Sequence, residues 1–345
     1  MEQYVGLDVS QDLTHVCVVD RDGKTLWQGD CESTPEAIGA TIKERAPTAV
    51  RIGLESGNFS TWHWHGLTEM GLPAICIDAY HAHGVLKLQM NKTDKNDAHG
   101  LAQIMRCGWY KPVKIKSFES HESRALFRVR SNLVTMRTDV VNSIRGTLRT
   151  FGILIKGVAG VKFETRVEEI IKEGGALADP LRALLDVLRV IKKQIEELDE
   201  KVLDYAWGCQ SCQLLMSIPG VGPVTAAKFV LAVDDAGRFK KSKNVAAYFG
   251  LTPRRRQSGE MDYNGRISKR GDSVVRHHLY EAANVLLTRV KKPSALQAWG
   301  LRIAKRSGMK KARIAVARKL AVIMHQMLLT DEFFCPFPAD EGVYA

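Results

Sequence analysis

The sequence predicts an α/β domain at the N-terminus, followed by a longer and mainly helical region. Residues 1–112 alternate short apolar runs of strand type with helix signals. Residues 113–210 carry apolar positions at helical spacing, and residues 211–330 combine helical patterns with a glycine-rich, basic centre. An irregular tail over residues 331–345 completes a chain of 345 residues, which is long enough to bury more than one core.

The composition is that of an ordinary folded protein with a surplus of positive charge. Hydrophobic residues make up 45% and charged residues 26%, which excludes a disordered or fibrous chain. The formal net charge of +12 favours a polyanionic partner, most often nucleic acid. No uncharged apolar run reaches about 18 residues, and the first residues are acidic and polar. We therefore expect neither a membrane span nor a signal peptide, and a cytoplasmic location.

The first strands of the α/β domain follow from short apolar runs and one turn signal. Residues 4–9 and 15–20 are of strand type, and the Asp22-Gly23 step fits a tight hairpin into a third strand at 25–28. This pattern predicts a three-stranded meander.

Helices and strands then alternate. A threonine cap and a proline at 34–35 begin a helix, and residues 50–55 return as a strand. A helix rich in tryptophan and histidine at 61–70, a buried strand at 73–78 and a helix carrying residues 96–102 follow. A meander followed by this alternation is the element order of the ribonuclease H fold.

Four carboxylates stand at positions that suit a metal site. Asp8 and Glu55 lie in or at the end of apolar strands, where a lone buried charge would be costly. Asp94 and Asp97 are three residues apart, which places both on one helix face. Together they offer oxygen ligands for Mg²⁺, and two such ions would stabilise a phosphodiester displacement. Each residue alone is more often a turn, surface or capping residue, and only the set favours a metal site.

Histidine and cysteine pairs are alternative metal ligands, but the sequence favours them less. The HxH pairs at 63–65 and 81–83 would diverge on a helix, so we interpret them as surface or solvent-lined histidines. Cys209 and Cys212 form one CxxC pair with no second pair beside it. Seven scattered cysteines are typical of reduced thiols.

The helical middle contains a seam of apolar residues spaced three and four apart, which is the spacing of a coiled coil. The seam comprises Leu181, Leu184, Leu188, Ile191, Ile195, Leu198, Val202 and Tyr205. Two interpretations are open on this pattern: two helices that pack within one chain, or a dimerisation arm.

A glycine hairpin introduces the C-terminal region. SIPGVGP at residues 217–223 leads into a helix, so the backbone N–H groups near Gly220 and Gly222 suit a phosphate, as in helix-hairpin-helix modules. The alternative is a plain tight turn between two helices.

A basic loop over residues 251–272 contains the candidate nucleophile. Ser258 precedes a glycine among several cations, although composition alone makes it only a loop serine that needs activation. The candidate nucleic-acid contacts here are Arg254, Arg255, Arg256, Lys269, Arg270 and Arg276.

These motifs resemble those of insertion-sequence transposases of the IS110 type. GLDVS at 6–10, Glu55 and KTDKNDA at 92–98 are similar to that family's Asp-Glu-Asp-Asp signature. The C-terminal domain of the family is matched by SIPGVGP at 217–223, AYFGLTP at 247–253, QSG at 257–259 and ISKRG at 267–271. The resemblance runs from about residue 3 to residue 328.

The resemblance implies a RuvC-like first domain in which Asp8, Glu55, Asp94 and Asp97 hold Mg²⁺, with Mn²⁺ as a substitute. It implies that Ser258 forms a covalent phosphoserine link to DNA. It also implies a recombinase that excises and inserts its own element, guided by a bridge RNA that pairs with donor and target DNA. It further implies dimers that assemble to tetramers through a dimerising coiled coil, with a composite site shared between protomers. The expected setting is bacterial or archaeal, in association with the nucleoid.

Two rival functions make different demands on these residues. A RuvC-type nuclease or junction resolvase needs the carboxylates but not Ser258. A non-catalytic nucleic-acid-binding protein needs neither Ser258 nor Asp8.

Overall fold

The chain forms two compact units. The first extends from Met1 to Phe118 and the second begins at Glu119. The computed structural model describes residues 1–87, 93–157, 159–259 and 261–337. The predicted first domain, residues 1–112, lies within the first unit, and its exact bounds stay a prediction. The finer division of the rest into a middle, a C-terminal domain and a tail stays a prediction.

The first unit is built on a mixed β-sheet. Its strands are β1 (Gln3–Val9), β2 (Leu13–Val19), β3 (Thr25–Glu32), β4 (Ala49–Glu55) and β5 (Ala74–Ile77). Their order across the sheet is β3-β2-β1-β4-β5, with β1 antiparallel to β2 and parallel to β4. The predicted α/β character is confirmed, and the order is compatible with a ribonuclease H-like domain.

Helices cover both faces of this sheet. They are α1 (Pro35–Arg45), α2 (Ser60–Glu69), α3 (Ala79–Leu86) and α4 (Asp94–Cys107). Residues of α1 and α2 share one apolar core with the sheet, and residues of α3 and α4 share the other. The first helix begins as predicted, because the Thr34 side chain accepts the N–H of Ala37 at 3.2 Å. Helix α3 has no counterpart among the predicted elements.

Helix α4 lies directly on β1 because Gly6 has no side chain. A Cβ atom at Gly6 would clash with the carbonyl oxygen of Ala98 and the amide nitrogen of Ala102. At the other end of α4, Gln103 donates to the carbonyl of Gly23, beside the amino end of β1. Helix α4 therefore runs antiparallel to β1, with its first turn at the carboxyl end of the strand.

The second unit is mainly helical. Its elements are α5 (Phe118–Thr150), α6 (Val161–Glu173), α7 (Ala178–Gly208), α8 (Gln210–Met216), α9 (Pro223–Val233), α10 (Lys243–Tyr248), β6 (Pro253–Ser258), β7 (Met261–Ile267), α11 (Ser273–Thr288), α12 (Ala295–Ser307) and α13 (Met309–Thr330). One large apolar core joins the helices from α8 onward, and it includes Phe229 and Phe249, whose rings lie 5.4 Å apart.

The long helices α5 and α7 pack antiparallel within this one chain. The rings of Phe127 and Tyr205 lie 5.6 Å apart, and Arg130 contacts Asp199 at 2.6 Å. Further along, apolar residues of α5, α6 and α7 form a separate core that contains the first three seam residues, Leu181, Leu184 and Leu188, while Val202 and Tyr205 join the large core. The intrachain packing of the seam is thus observed, and its use as a dimerising coiled coil stays a prediction.

The prediction of a loop over residues 251–272 is wrong, because most of this segment forms two strands. Strands β6 and β7 form an antiparallel hairpin, in which Ser258 pairs with Met261 and Pro253 with Ile267. Arginine and glycine are poor strand signals, and the described residues of both strands are exposed along almost their whole length, so apolar alternation was absent from the sequence.

Gly6→Ala should destabilise the first unit by about 3 kcal/mol, because the added methyl group meets rigid backbone rather than a movable side chain. Chemical denaturation of the full chain measures this loss. Gly84→Ala is the matched control, since nothing lies within 4 Å of a Cβ there and alanine favours the helix. Equal stabilities of the two variants would contradict the close approach of α4 to β1.

Candidate active site

Asp8 and Glu55 lie side by side at the carboxyl ends of adjacent parallel strands. The register pairs Gly6 with Gly53 and Leu7 with Leu54, so Asp8 comes next to Glu55. Asp8 and Glu55 stand two residues beyond Gly6 and Gly53, both of which face α4. Because side chains two apart share a sheet face, both carboxylates lie on the α4 side, and both are half-buried.

The first turn of α4 brings Asp94 and Asp97 to the same end of the sheet. Thr93 caps the helix by accepting the N–H of Asn96 at 3.2 Å. Asp94 is exposed and Asp97 is half-buried. All four predicted carboxylates therefore lie at one end and on one face of the sheet. Asn91 and Lys92, which belong to the same motif, lie outside the described residues.

His15 and Asp30 belong to this group, although neither was predicted from the sequence. His15 is the cross-strand partner of Asp8, and Asp30 is the partner of His15 on β3. The His15 Nδ1 contacts Asp30 Oδ1, and its Nε2 lies 3.5 Å from Asp94 Oδ2. The ring thus connects β3 with the start of α4. His15 was missed because its position opposite Asp8 depends on the register of the β1–β2 hairpin, which the sequence alone does not determine.

The donor set suits a hard divalent cation, but its side chains are not gathered around one point. Carboxylate oxygens are the ligands that Mg²⁺ and Mn²⁺ take in proteins. Within the described ranges, no three histidine, cysteine, aspartate or glutamate side chains lie close enough to ligate a single ion. The backbone places the four carboxylates on one face of the sheet. To bind one ion together, side chains such as that of the exposed Asp94 would have to rotate.

Among the histidine and cysteine candidates, His63 has a structural role. It is fully buried, and its ring nitrogens lie 2.9 Å from the carbonyl of Phe59 and 3.2 Å from that of Ser33. The expectation of a solvent-lined histidine is wrong for His63, which bridges two backbone segments. Cys209 and Cys212 are free thiols, and so are the remaining cysteines.

In the second unit, Ser258 lies on the exposed hairpin β6–β7. Along β6, alternate residues point to opposite faces, so Ser258 shares a face with Arg256. Arg255 lies on the other face, where it donates to both carboxylate oxygens of Asp262 at 2.8 and 2.5 Å. This bidentate pair lowers the pKa of Asp262. The serine face of the hairpin is therefore cationic, while the opposite face is neutralised.

The hairpin is anchored by backbone contacts at its base. A Cβ at Gly271 would clash with the carbonyl oxygen of Tyr248, and its positive φ of 71° suits glycine. Arg276 Nη1 donates to the carbonyls of Phe249 and Arg270 at 3.0 and 2.9 Å. Arg276 thus has a structural role, and its predicted contact with nucleic acid stays a prediction.

The remaining predicted nucleic-acid residues lie at the hairpin base and in the glycine turn. Arg254 donates to the carbonyl of Ser268 at 3.0 Å, while Lys269 and Arg270 are exposed at the hairpin base. Gly220 and Gly222 lie between α8 and α9, and a Cβ at Gly220 would come within 2.8 Å of the carbonyl oxygen of Ala282. Gly220 therefore permits close packing on α11. Binding of phosphate at this turn stays a prediction.

Comparison with known proteins places the chain in a family. Residues 5–153 match the family model for the DEDD transposases of IS110 elements, and residues 212–299 match that of the "Transposase IS116/IS110/IS902 family". A similar relative is the transposase for insertion sequence element IS1111A of Coxiella burnetii. It is 29% identical over 339 residues, which cover 96% of this chain and 90% of the relative.

Two further relatives extend this comparison. The transposase for insertion sequence element IS1328 of Yersinia enterocolitica is 29% identical over 321 residues, covering 92% of this chain and 94% of the relative. The pilin gene-inverting protein of Moraxella bovis is 29% identical over 159 residues, covering 43% of this chain and 48% of the relative.

An α/β unit with acidic strand ends and a helical unit with a cationic hairpin are features typical of enzymes that act on nucleic acid. The chain belongs to the IS116/IS110/IS902 family of transposases, and it is an enzyme of DNA transposition. A DEDD domain implies dependence on a divalent metal ion. Among the described residues, no helix combines the length and apolar character needed to span a bilayer.

Asp30→Asn should slow metal-dependent strand cleavage about tenfold, because His15 would lose the charged partner that fixes it beside Asp94. Asp12→Asn, an exposed change in the turn between β1 and β2, is the matched control. Cleavage rates measured across a range of Mg²⁺ concentrations test this, and rescue of Asp30→Asn at high Mg²⁺ would indicate a positioning role. Equal cleavage rates for Asp30→Asn and Asp12→Asn would show that the His15–Asp30 contact has no role in the reaction.

Proposed function

We propose that the protein is a recombinase that excises and inserts its own mobile element under the guidance of a bridge RNA. In this proposal Asp8, Glu55, Asp94 and Asp97 bind Mg²⁺, and Ser258 is the nucleophile that becomes linked to DNA. The main support is the strand register that sets Asp8 beside Glu55, on the face and at the end of the sheet where α4 begins.

The covalent step conserves the energy of the phosphodiester bond. The Ser258 Oγ attacks the scissile phosphorus, an Oγ–P bond forms, and the bond from phosphorus to one deoxyribose oxygen breaks. The serine proton leaves through solvent, and the released oxygen departs as a hydroxyl group. Attack by a hydroxyl of a new strand then reverses these steps and frees the serine, so no further cofactor is consumed.

The surroundings of Ser258 suit this step in part. Arg256 shares its face and provides a cation for the phosphate oxygens, whereas Asp262 of the same hairpin is held by Arg255 and is not available as a general base. Bound divalent ions would stabilise charge on the attacking and leaving oxygens. Since the carboxylates belong to one unit and Ser258 to the other, we propose that they meet in a composite site shared between protomers of a dimer or tetramer.

Guidance by RNA would explain why the second unit offers contacts to phosphates rather than to bases. Its exposed cations on β6 and at the hairpin base suit phosphates, which position a nucleic acid without specifying its sequence. Base pairing between a guide and DNA would then supply the specificity, as in other RNA-guided enzymes. Guidance by RNA itself is inferred from the family resemblance.

A RuvC-type nuclease or junction resolvase is the second candidate function. The name of the pilin gene-inverting relative favours recombination over cleavage alone, because inversion requires that broken strands be rejoined. A covalent serine link would preserve each broken end for rejoining, whereas a hydrolytic nuclease would release it.

Ser258→Ala should abolish a protein–DNA adduct that survives denaturing electrophoresis, and recombination with it, because the attacking oxygen is lost. Asp8→Asn should abolish the same adduct while leaving Ser258 in place. The measurement uses end-labelled DNA carrying the element's junction, with the co-purified RNA present. Ser143→Ala, an exposed serine on α5, is the matched control and should retain the adduct.

The rival functions give different results in this experiment. A resolvase would cleave DNA equally well with Ser258→Ala, and a non-catalytic binding protein would keep its function with Asp8→Asn. An adduct that persists in Ser258→Ala would exclude Ser258 as the nucleophile.

Arg256→Gln should reduce the rate of adduct formation about tenfold, because it removes the cation two residues before Ser258 on the serine face of the hairpin. Arg255→Gln is the matched control, since its guanidinium is occupied by Asp262 on the opposite face. Single-turnover kinetics with saturating DNA measure both rates. A larger loss for Arg255→Gln than for Arg256→Gln would contradict the assignment of the two faces.

A further inference from the structure

The second unit contains a cavity with a buried lysine that the proposed reaction does not use. The cavity has a volume of about 530 Å³ and lies between α5, α9 and the start of α11. Its polar lining comes from Arg124, Arg128, Ser131, Asn132, Lys228 and Asp272, among other residues. A volume of this size accommodates a phosphate group together with part of a sugar.

Lys228 is held within the protein by neutral partners. Only 7% of the residue is exposed, and its Nζ donates to Ser131 Oγ at 2.7 Å and to His278 Nε2 at 3.1 Å. His278 accepts this bond only as a neutral ring. Burial, with Lys228 as the next cause, lowers the pKa of His278 to about 4, which keeps the ring neutral at pH 7.

The carboxylate of the lining is already engaged elsewhere. Asp272 Oδ1 accepts the N–H groups of Val274 and Val275 at 2.9 and 3.1 Å and so caps α11. Its Oδ2 lies 3.5 Å from Arg124 Nη2. Burial lowers the pKa of Lys228 to about 8, with the nearby Arg130 as the next cause and Asp272 acting in the opposite direction.

The charges around the cavity favour an anion. Three cations, Arg124, Arg128 and Lys228, contribute to the lining together with the single carboxylate of Asp272. Arg128 is exposed and Lys228 is buried, so the positive charge extends from the surface to the interior. Asp272 also follows directly after the ISKRG segment that anchors the hairpin β6–β7.

We propose that this cavity binds one backbone phosphate of a nucleic acid, with Lys228 contacting the phosphate inside and Arg128 at the entrance. The anion would offset the buried charge of the lysine, and a flanking nucleotide would pass the exposed hairpin base. The site adds a fixed phosphate contact to the proposed function and does not depend on the chemistry of Ser258.

Lys228→Met tests the proposal, because methionine keeps the length of the side chain and removes its charge. The affinity of the full chain for a short DNA duplex should fall about tenfold at low salt. The slope of log affinity against log salt should decrease by about 1, as expected for one lost phosphate contact. Lys193→Met, at an exposed lysine on α7, is the matched control for loss of a charge and should leave the slope unchanged.

Two additional measurements separate loss of binding from loss of folding. Arg128→Gln at the exposed entrance should lower the slope in the same way without risk to folding. Inorganic phosphate should raise the melting temperature of the wild-type protein above that in chloride of equal ionic strength, and Lys228→Met should remove this difference.

Unchanged slopes for both Lys228→Met and Arg128→Gln would overturn the proposal. Thermal stabilisation by inorganic phosphate with unchanged slopes would also overturn it, since the cavity would then take a free anion rather than a nucleic acid backbone. No strand cleavage is measured, so failure of the Ser258 mechanism would not alter either readout.

Discussion

The close approach of α4 to β1 is the contact on which the arrangement of the acidic residues depends. Gly6 leaves room for the backbone of Ala98 and Ala102, so the helix axis is fixed at a short distance from the strand. The antiparallel direction of α4 then sets its first turn at the carboxyl end of β1, where Asp8 and Glu55 stand. Gly6, which has no functional side chain, therefore determines which acidic side chains lie near one another.

Much of this arrangement was predictable because apolar runs and turn signals specify it locally. The strands of the first unit, the capped helix at Thr34 and the acidic positions all follow from patterns a few residues long. His15 and Asp30 were missed because their place beside Asp94 arises from strand register and helix packing, which join residues distant in the sequence. The hairpin β6–β7 was missed because neither of its faces is buried, and without a buried face a strand leaves no alternating signal.

The two units use different physical means to handle charge. In the first, carboxylates share one end of a sheet, and their oxygens are of the kind that hard divalent cations prefer. In the second, Lys228 is enclosed by a serine and a neutral histidine, and the only carboxylate of the cavity lining among the described residues serves as a helix cap. Acidic side chains thus gather at the sheet end of the first unit, and basic side chains predominate around the cavity of the second. Complementary ions or phosphates that bind the folded chain would stabilise it.

The hairpin β6–β7 contributes almost nothing to the hydrophobic cores, since residues 253–259 and 261–266 are exposed and its attachment rests on backbone contacts at the base. Side chains on such an element can be exchanged with little effect on folding. If the hairpin binds nucleic acid as proposed, its contacts with phosphate could therefore change by substitution without loss of the framework beneath it.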